Sequence, residues 1–219
     1  MVTYVAASRN QNTMAIEKYE IQALFAVPVF RADIGHAITE EQIQFIKNLK
    51  MANNQVNLIS DNLYLFDEPE MKSIKDAIQE VLDLYAREVM GIPQKLYVTQ
   101  SWSLLNHPDV GMHGHSHSNS IISGSLYFCD LPHPSSKMVF DRHKTYQQLE
   151  LIPDEDKKNI YNAPLNVITP QKNEVLLFPS GLQHFVEPNK SSLPRYSIAF
   201  NTFLRGKLGS YRDVSELTL

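Results

Sequence analysis

The sequence predicts a mainly β (α+β) fold, an antiparallel sandwich or barrel buttressed by N-terminal helices. Three observations predict it. Helical periodicity is confined to two stretches between about residues 39 and 91. After residue 94 the chain breaks into short runs rich in β-branched and aromatic residues. Clusters of Pro, Gly, Asn and Ser separate those runs, as in sandwiches and barrels. At 219 residues, 43% hydrophobic and 20% charged, the chain is of ordinary globular composition and large enough for a sizeable core. We expect one domain over 14–219, with helical support over about 39–91 and a barrel core over about 95–204.

Residues 1–13 are polar and patternless and read as a flexible N-terminal arm. Ala23 to Phe30 reads as a strand, and Pro28, which lacks a ladder donor, puts it at a sheet edge. Thr39 followed by Gln42 is a capping box, and Ile43, Ile46 and Leu49 continue as an apolar stripe at helical spacing. The Asn-rich stretch 53–62 reads as a loop. A longer helix is expected to start near Asp67-Glu68-Pro69-Glu70, with Pro in its first turn. Its buried face is Ile74, Ile78, Val81, Leu82 and Tyr85, and Gly91-Ile92-Pro93 stops it. The strand candidates are Lys95–Leu105, Ile121–Phe128, Lys137–Phe140, Leu165–Ile168, Glu174–Phe178 and Arg195–Leu204. The long polar connection 141–163, with its charged run 154–158, reads as a lid or a loose segment.

Composition also bounds function. A net charge of −4 argues against general nucleic-acid binding. A single cysteine, Cys129, forms no internal disulfide, which suits a reducing compartment. No run approaches the roughly 20 apolar residues of a membrane span, and no signal segment opens the chain, so a cytoplasmic location is expected. Edge strands make a homodimer conceivable.

The chemistry concentrates in Met112 to Ser120, where three histidines alternate with small residues. In an extended segment residues two apart share a face, so His115 and His117 would lie roughly 6.6 Å apart at about 3.3 Å per residue. Two such imidazoles can converge on one metal ion. His184, after the corner Phe178-Pro179-Ser180-Gly181, is a candidate third ligand. Two competing pairs remain open at this point: His113 with His115, and His107 with Asp109 across Pro108. Arg195 opens an otherwise apolar strand, which points it inward toward a partner, and Ser197 shares its face. Trp102 is core or cavity lining, and Asn106 and Asn119 suit turns.

These residues together carry a resemblance. Asn106-His107-Pro108, His115-Ser116-His117, Asn119-Ser120, Ser123-Gly124-Ser125-Leu126-Tyr127, Leu177-Phe178-Pro179-Ser180, His184 through Asn189 and Arg195 through Asn201 follow one another in an order and spacing that resembles the short bacterial and phage type of 2-oxoglutarate/Fe(II) oxygenases, distant relatives of prolyl hydroxylases. The match covers roughly 98–204, and Leu24-Phe25 through Pro28-Val29 resembles the family's opening strand. The resemblance implies a double-stranded β-helix, a jelly-roll or cupin-like barrel. It implies Fe(II) held by His115, His117 and His184. It implies that Arg195 binds the distal carboxylate of 2-oxoglutarate with help from Ser197 and Tyr127. It implies a dioxygenase using O₂, with succinate and CO₂ as co-products, that hydroxylates an unidentified small molecule or peptide. One departure stands out: His117 occupies the place where the wider superfamily has Asp or Glu. A neutral third ligand suits other imidazole-binding metals too. It therefore keeps two alternatives in view, a cupin-like three-histidine metalloenzyme that does not use 2-oxoglutarate and a non-catalytic metal- or ligand-binding barrel.

Overall fold

The computed structural model describes residues 19–142 and 152–219. The expected arm 1–13 lies outside the described residues, as does 143–151 of the long polar connection. The strands are β1 (Phe30–Asp33), β2 (Met51–Asn54), β3 (Asn57–Ser60), β4 (Lys95–Asn106), β5 (Met112–His115), β6 (Ile122–Tyr127), β7 (Met138–Asp141), β8 (Leu165–Ile168), β9 (Glu174–Pro179), β10 (His184–Val186) and β11 (Arg195–Arg205), with a short C-terminal pair beyond. They form a seven-stranded sheet in the order β1-β9-β6-β11-β4-β3-β2 and a four-stranded sheet in the order β5-β10-β7-β8. The ladders within both are antiparallel.

Side-chain alternation separates the two faces of the large sheet. On β9, Val175 and Leu177 join the core under the helices, whereas Leu176 and Phe178 join a second core between the sheets. A strand buried on both faces reads as a continuous apolar run, which is why Val175 to Phe178 shows no period of two. Met138 and Phe140 of the small sheet meet Tyr127, Leu176 and Phe178 of the large one in that second core. The sheets therefore face each other across a barrel interior, the double-stranded β-helix.

The helices α1 (Glu40–Lys47) and α2 (Lys72–Tyr85) cover the outer face of the large sheet. Thr39 caps α1 through a complete capping box with Gln42. On α2 the residues Ile74, Ile78, Val81, Leu82 and Tyr85 are all buried. Each fully enclosed aliphatic side chain among them stabilises the fold by about 1.5–3 kcal/mol. A five-residue wide turn, Ala86–Met90, extends α2 to Gly91, which takes φ 64° as the terminating residue.

Three expectations need correction. The first strand is Phe30–Asp33 and not 23–30. It lies at a sheet edge, paired only with β9. Arg31 donates from Nε to Glu174 at 2.6 Å, and Phe30 packs edge-on against Tyr85 at 5.8 Å. These contacts fix the register downstream of Pro28. The second helix begins at Lys72, preceded by two tight turns at Leu65–Asp67 and Pro69–Met71, so Pro69 opens a turn ahead of the helix. The Asn-rich stretch read as a loop is the hairpin β2–β3, which extends the large sheet beyond β4. Asn is a poor strand former. Here Asn54 Nδ2 donates to Asn57 Oδ1 at 3.0 Å, and pairing with β4 supplies what propensity lacks.

Candidate metal centre and anion pocket

His115 ends β5 and stands directly opposite His184, the first residue of β10. His117 lies two residues past the end of β5, where its backbone N–H donates to the Ser180 carbonyl at 2.9 Å. The three rings converge, with centroids 4.4 Å apart for His115–His184, 5.0 Å for His115–His117 and 5.2 Å for His117–His184. One ring nitrogen from each lies within 4.8 Å of the others, and this is the one such cluster among the described residues. Distances of this order close readily onto a single ion with metal–nitrogen bonds of about 2.0–2.1 Å.

Second contacts set which nitrogen each ring presents. His115 Nδ1 lies 2.8 Å from the His113 carbonyl, and His184 Nδ1 lies 2.9 Å from the Leu182 carbonyl. A carbonyl only accepts, so both Nδ1 atoms carry the proton and both Nε2 lone pairs are free to ligate. Burial, then the nearby His184 and His115, lower the His117 pKa to about 4; burial also lowers that of His184 to about 4. Both rings are therefore neutral at pH 7, the form a metal requires.

The competing histidines are elsewhere. His113 is exposed and contributes its carbonyl rather than its ring. His107 and Asp109 are exposed in the turn after β4, where Asp109 takes φ 62° and pairs with Lys190.

Beside the three histidines lies a knot of hydroxyls from motif residues to which the sequence assigned no role. Ser180 Oγ lies 2.7 Å from Ser120 Oγ and 2.8 Å from Ser123 Oγ, and Ser123 donates to Asn201 Oδ1 at 2.9 Å. Ser180 is 1% exposed. The knot ties the segment carrying His117 to the corner that precedes His184. Scattered serines at positions 120, 123 and 180 offer no local pattern from which to foresee it.

Arg195 faces the same interior and is 2% exposed. It forms no ion pair among the described residues, and its Nε has no hydrogen-bond partner. Its guanidinium lies 5.1 Å from the centroid of the Tyr127 ring. The Tyr127 hydroxyl is buried and unpartnered, and burial raises its pKa against the opposing pull of Arg195. A buried cation without a counter-charge is costly; a carboxylate is the partner whose two oxygens match the guanidinium fork. Ser197, 4% exposed, stands one alternation further along β11. A cavity of about 230 Å³ joins these groups: Arg195, Ser197 and Tyr127 line it together with His115, His117 and His184. Trp102 and Asn106 line it too, as do Asn54 and Asn57 from the unforeseen hairpin.

A histidine triad and a buried guanidinium thus face one cavity inside a jelly roll, a donor set that could hold a metal ion beside an anion. Residues 100–201, just under half of the chain, match a family model described as "Putative 2OG-Fe(II) oxygenase". This stretch is similar to the 2-oxoglutarate/Fe(II)-dependent oxygenases. Solved structures share the fold. An oxidoreductase of the 2OG-Fe(II) oxygenase family from Burkholderia pseudomallei is 10% identical, with TM-score 0.55 over 80% of this chain and 83% of that one. HygX from Streptomyces hygroscopicus, with nickel, 2-oxoglutarate and hygromycin B bound, is 12% identical, with TM-score 0.55 over 80% and 82%. A prolyl-4-hydroxylase from Pseudomonas putida is 12% identical, with TM-score 0.53 over 82% and 94%. No curated protein matches the sequence. No helix among the described residues is long and apolar enough to cross a membrane.

Proposed function

We propose that this chain is a 2-oxoglutarate-dependent Fe(II) dioxygenase that hydroxylates an unidentified small molecule or peptide. His115, His117 and His184 hold the metal through Nε2, and Arg195 holds the distal carboxylate of 2-oxoglutarate, with Ser197 and Tyr127 as further donors. The observation that carries this reading is the buried, unpaired guanidinium of Arg195 in the cavity that also receives the three imidazoles. The donor chemistry fits both guests: imidazole suits Fe(II), and the orphan Nε of Arg195 and hydroxyl of Tyr127 await an anionic acceptor.

When bound, iron and 2-oxoglutarate supply the oxidising power, with O₂ as co-substrate and succinate and CO₂ as co-products. The protein's own part is placement and tuning. Three neutral ligands leave the site one unit more positive than a set containing a carboxylate, which favours a dianionic keto acid. Trp102, 6.3 Å from the His117 ring, lines the same cavity. Phe140 and Phe178 pack against His184 at 6.1 and 4.7 Å and keep water from its flank.

The test is turnover: Fe(II), 2-oxoglutarate and O₂ should yield succinate even without a second substrate, and His184→Ala should abolish it. A third histidine, His117, where the wider superfamily has Asp or Glu, favours a second reading, a three-histidine metalloenzyme that does not use 2-oxoglutarate. Anaerobic titration of the Fe(II) protein with 2-oxoglutarate separates them. A visible charge-transfer band appears under the first reading and not under the second.

A further inference from the structure

The hairpin β2–β3 builds a polar row into the cavity floor. Arg195 on β11 pairs with Asn106 on β4. Asn57 on β3 donates from Nδ2 to Asn106 Oδ1 at 3.2 Å, and Asn54 on β2 pairs with Asn57. Directly paired residues of antiparallel strands project to one face, and all four line the cavity. One cation is thus followed by three carboxamides on successive strands.

Backbone carbonyls fix the polarity of this row. Asn106 Nδ2 donates to the carbonyls of Val110 at 3.2 Å and Gly111 at 3.0 Å. Carbonyls only accept, so Asn106 must offer its oxygen to Asn57. Asn57 in turn must offer its oxygen to Asn54 Nδ2, at 3.0 Å. Every amide in the row is oriented, and Asn54 Oδ1 is left as the terminal acceptor at the rim, without a protein partner in the row. Aligned hydrogen bonds polarise one another, so this carbonyl accepts more strongly than an isolated one. Asn106 spends its N–H groups on the two carbonyls, so it has none for an anion held by Arg195. Beside the row, Ile59, Leu104 and Trp102 form an apolar wall. Arg195 is the one Lys, Arg, Asp or Glu among the described lining residues.

We infer that the Asn54–Asn57–Asn106 relay is the substrate-reading wall of the site and that Asn54 Oδ1 accepts a hydrogen bond from an amide N–H of an uncharged substrate. The inference rests on the oxygenase reading only in calling that ligand the substrate. Amide chemistry comes from two sources, a primary carboxamide or a peptide-like secondary amide, and the probes below separate them.

The test uses ¹⁵N-labelled full-length protein loaded with Zn(II) and 2-oxoglutarate, whose binding is established first. Acetamide, N-methylacetamide, N,N-dimethylacetamide and acetate are titrated while the Asn54 and Asn57 side-chain amide resonances are followed. Acetamide and N-methylacetamide should shift them. Dimethylacetamide, which lacks an N–H, and acetate should shift them at least about tenfold more weakly, the worth of one hydrogen bond. A stronger response to acetamide assigns a primary carboxamide, and a stronger response to N-methylacetamide assigns a peptide. Asn54→Leu should lose the preference for donors while keeping the wild-type 2-oxoglutarate affinity. Equal shifts from all probes, persistence of the preference in Asn54→Leu, or no shift at all overturns the inference. Donor-selective shifts in a protein that fails to bind 2-oxoglutarate would sink the oxygenase reading and leave the relay standing.

Discussion

Arg195→Met separates a guanidinium kept for a ligand from one kept for the fold. Arg195 is 2% exposed, has no ion-pair partner among the described residues and leaves Nε unsatisfied. Replacing a buried, uncompensated charge by an apolar side chain of similar length removes a desolvation penalty, so the unliganded protein should be as stable or more stable. The same change removes the carboxylate fork. Truncating one partner of a buried, hydrogen-bonded charge pair costs about 2–5 kcal/mol, so 2-oxoglutarate affinity should fall by roughly thirtyfold to several thousandfold. Thermal unfolding of Zn(II)-loaded protein reads both effects. At 100 times Kd the keto acid stabilises wild type by about 2.7 kcal/mol, a rise in Tm of roughly 5–11 °C for a chain this size. The variant should start at or above the wild-type Tm and show no rise at the same concentration. A variant that unfolds several degrees earlier without ligand, or that still responds to 2-oxoglutarate, refutes the reasoning, because Arg195 would then be a structural residue.

Ser180→Ala removes the partner shared by Ser120 and Ser123, which keep the Ile122 carbonyl and Asn201 as acceptors, so it should cost about 0.5–1.5 kcal/mol in urea unfolding. It should also weaken Co(II) binding, because the Ser180 segment holds His117 through its backbone; unchanged Co(II) spectra and affinity would count against that coupling. Gly124→Ala places a methyl 2.1 Å from Cζ of Phe200, whose ring is 1% exposed and has nowhere to go. Overpacking of this kind should cost about 1–3 kcal/mol or more, and a wild-type Tm would show that the ring yields. Acid should destabilise the metal-free protein between about pH 6.5 and 4. In that window His117 and His184 stay neutral when folded, their pKa values held near 4, whereas the unfolded chain takes up the protons. Stability lost to these groups is absent above pH 6.5 and complete below 4. Urea midpoints across that range check it, and His184→Gln should flatten the slope.

Local chemistry made much of this protein legible. The Thr39–Gln42 capping box and the period of Ile74, Ile78, Leu82 and Tyr85 depend on neighbours within one or two turns, so they could be read without a fold. The meeting of His115, His117 and His184 could be anticipated for a different reason. Histidines two apart on an extended segment share a direction, and an arginine opening an apolar strand has few uses other than a buried partner. The hairpin β2–β3 was not legible, because Asn53, Asn54 and Asn57 favour turns when considered alone. Only pairing with β4 makes them a strand, and only that pairing brings Asn54 and Asn57 into the cavity. The hydroxyl knot likewise joins residues 57 to 78 positions apart.

The sequence by itself determined the capped start of α1, the apolar helix faces and the kinds of side chain available for metal and carboxylate. Tertiary structure alone decided which imidazoles meet, which nitrogen each presents, and which amides floor the cavity. The physical reason is range: caps and periodicity act over a few residues along the chain, whereas ligand geometry and hydrogen-bond polarity are set across strands, between residues the chain itself keeps far apart.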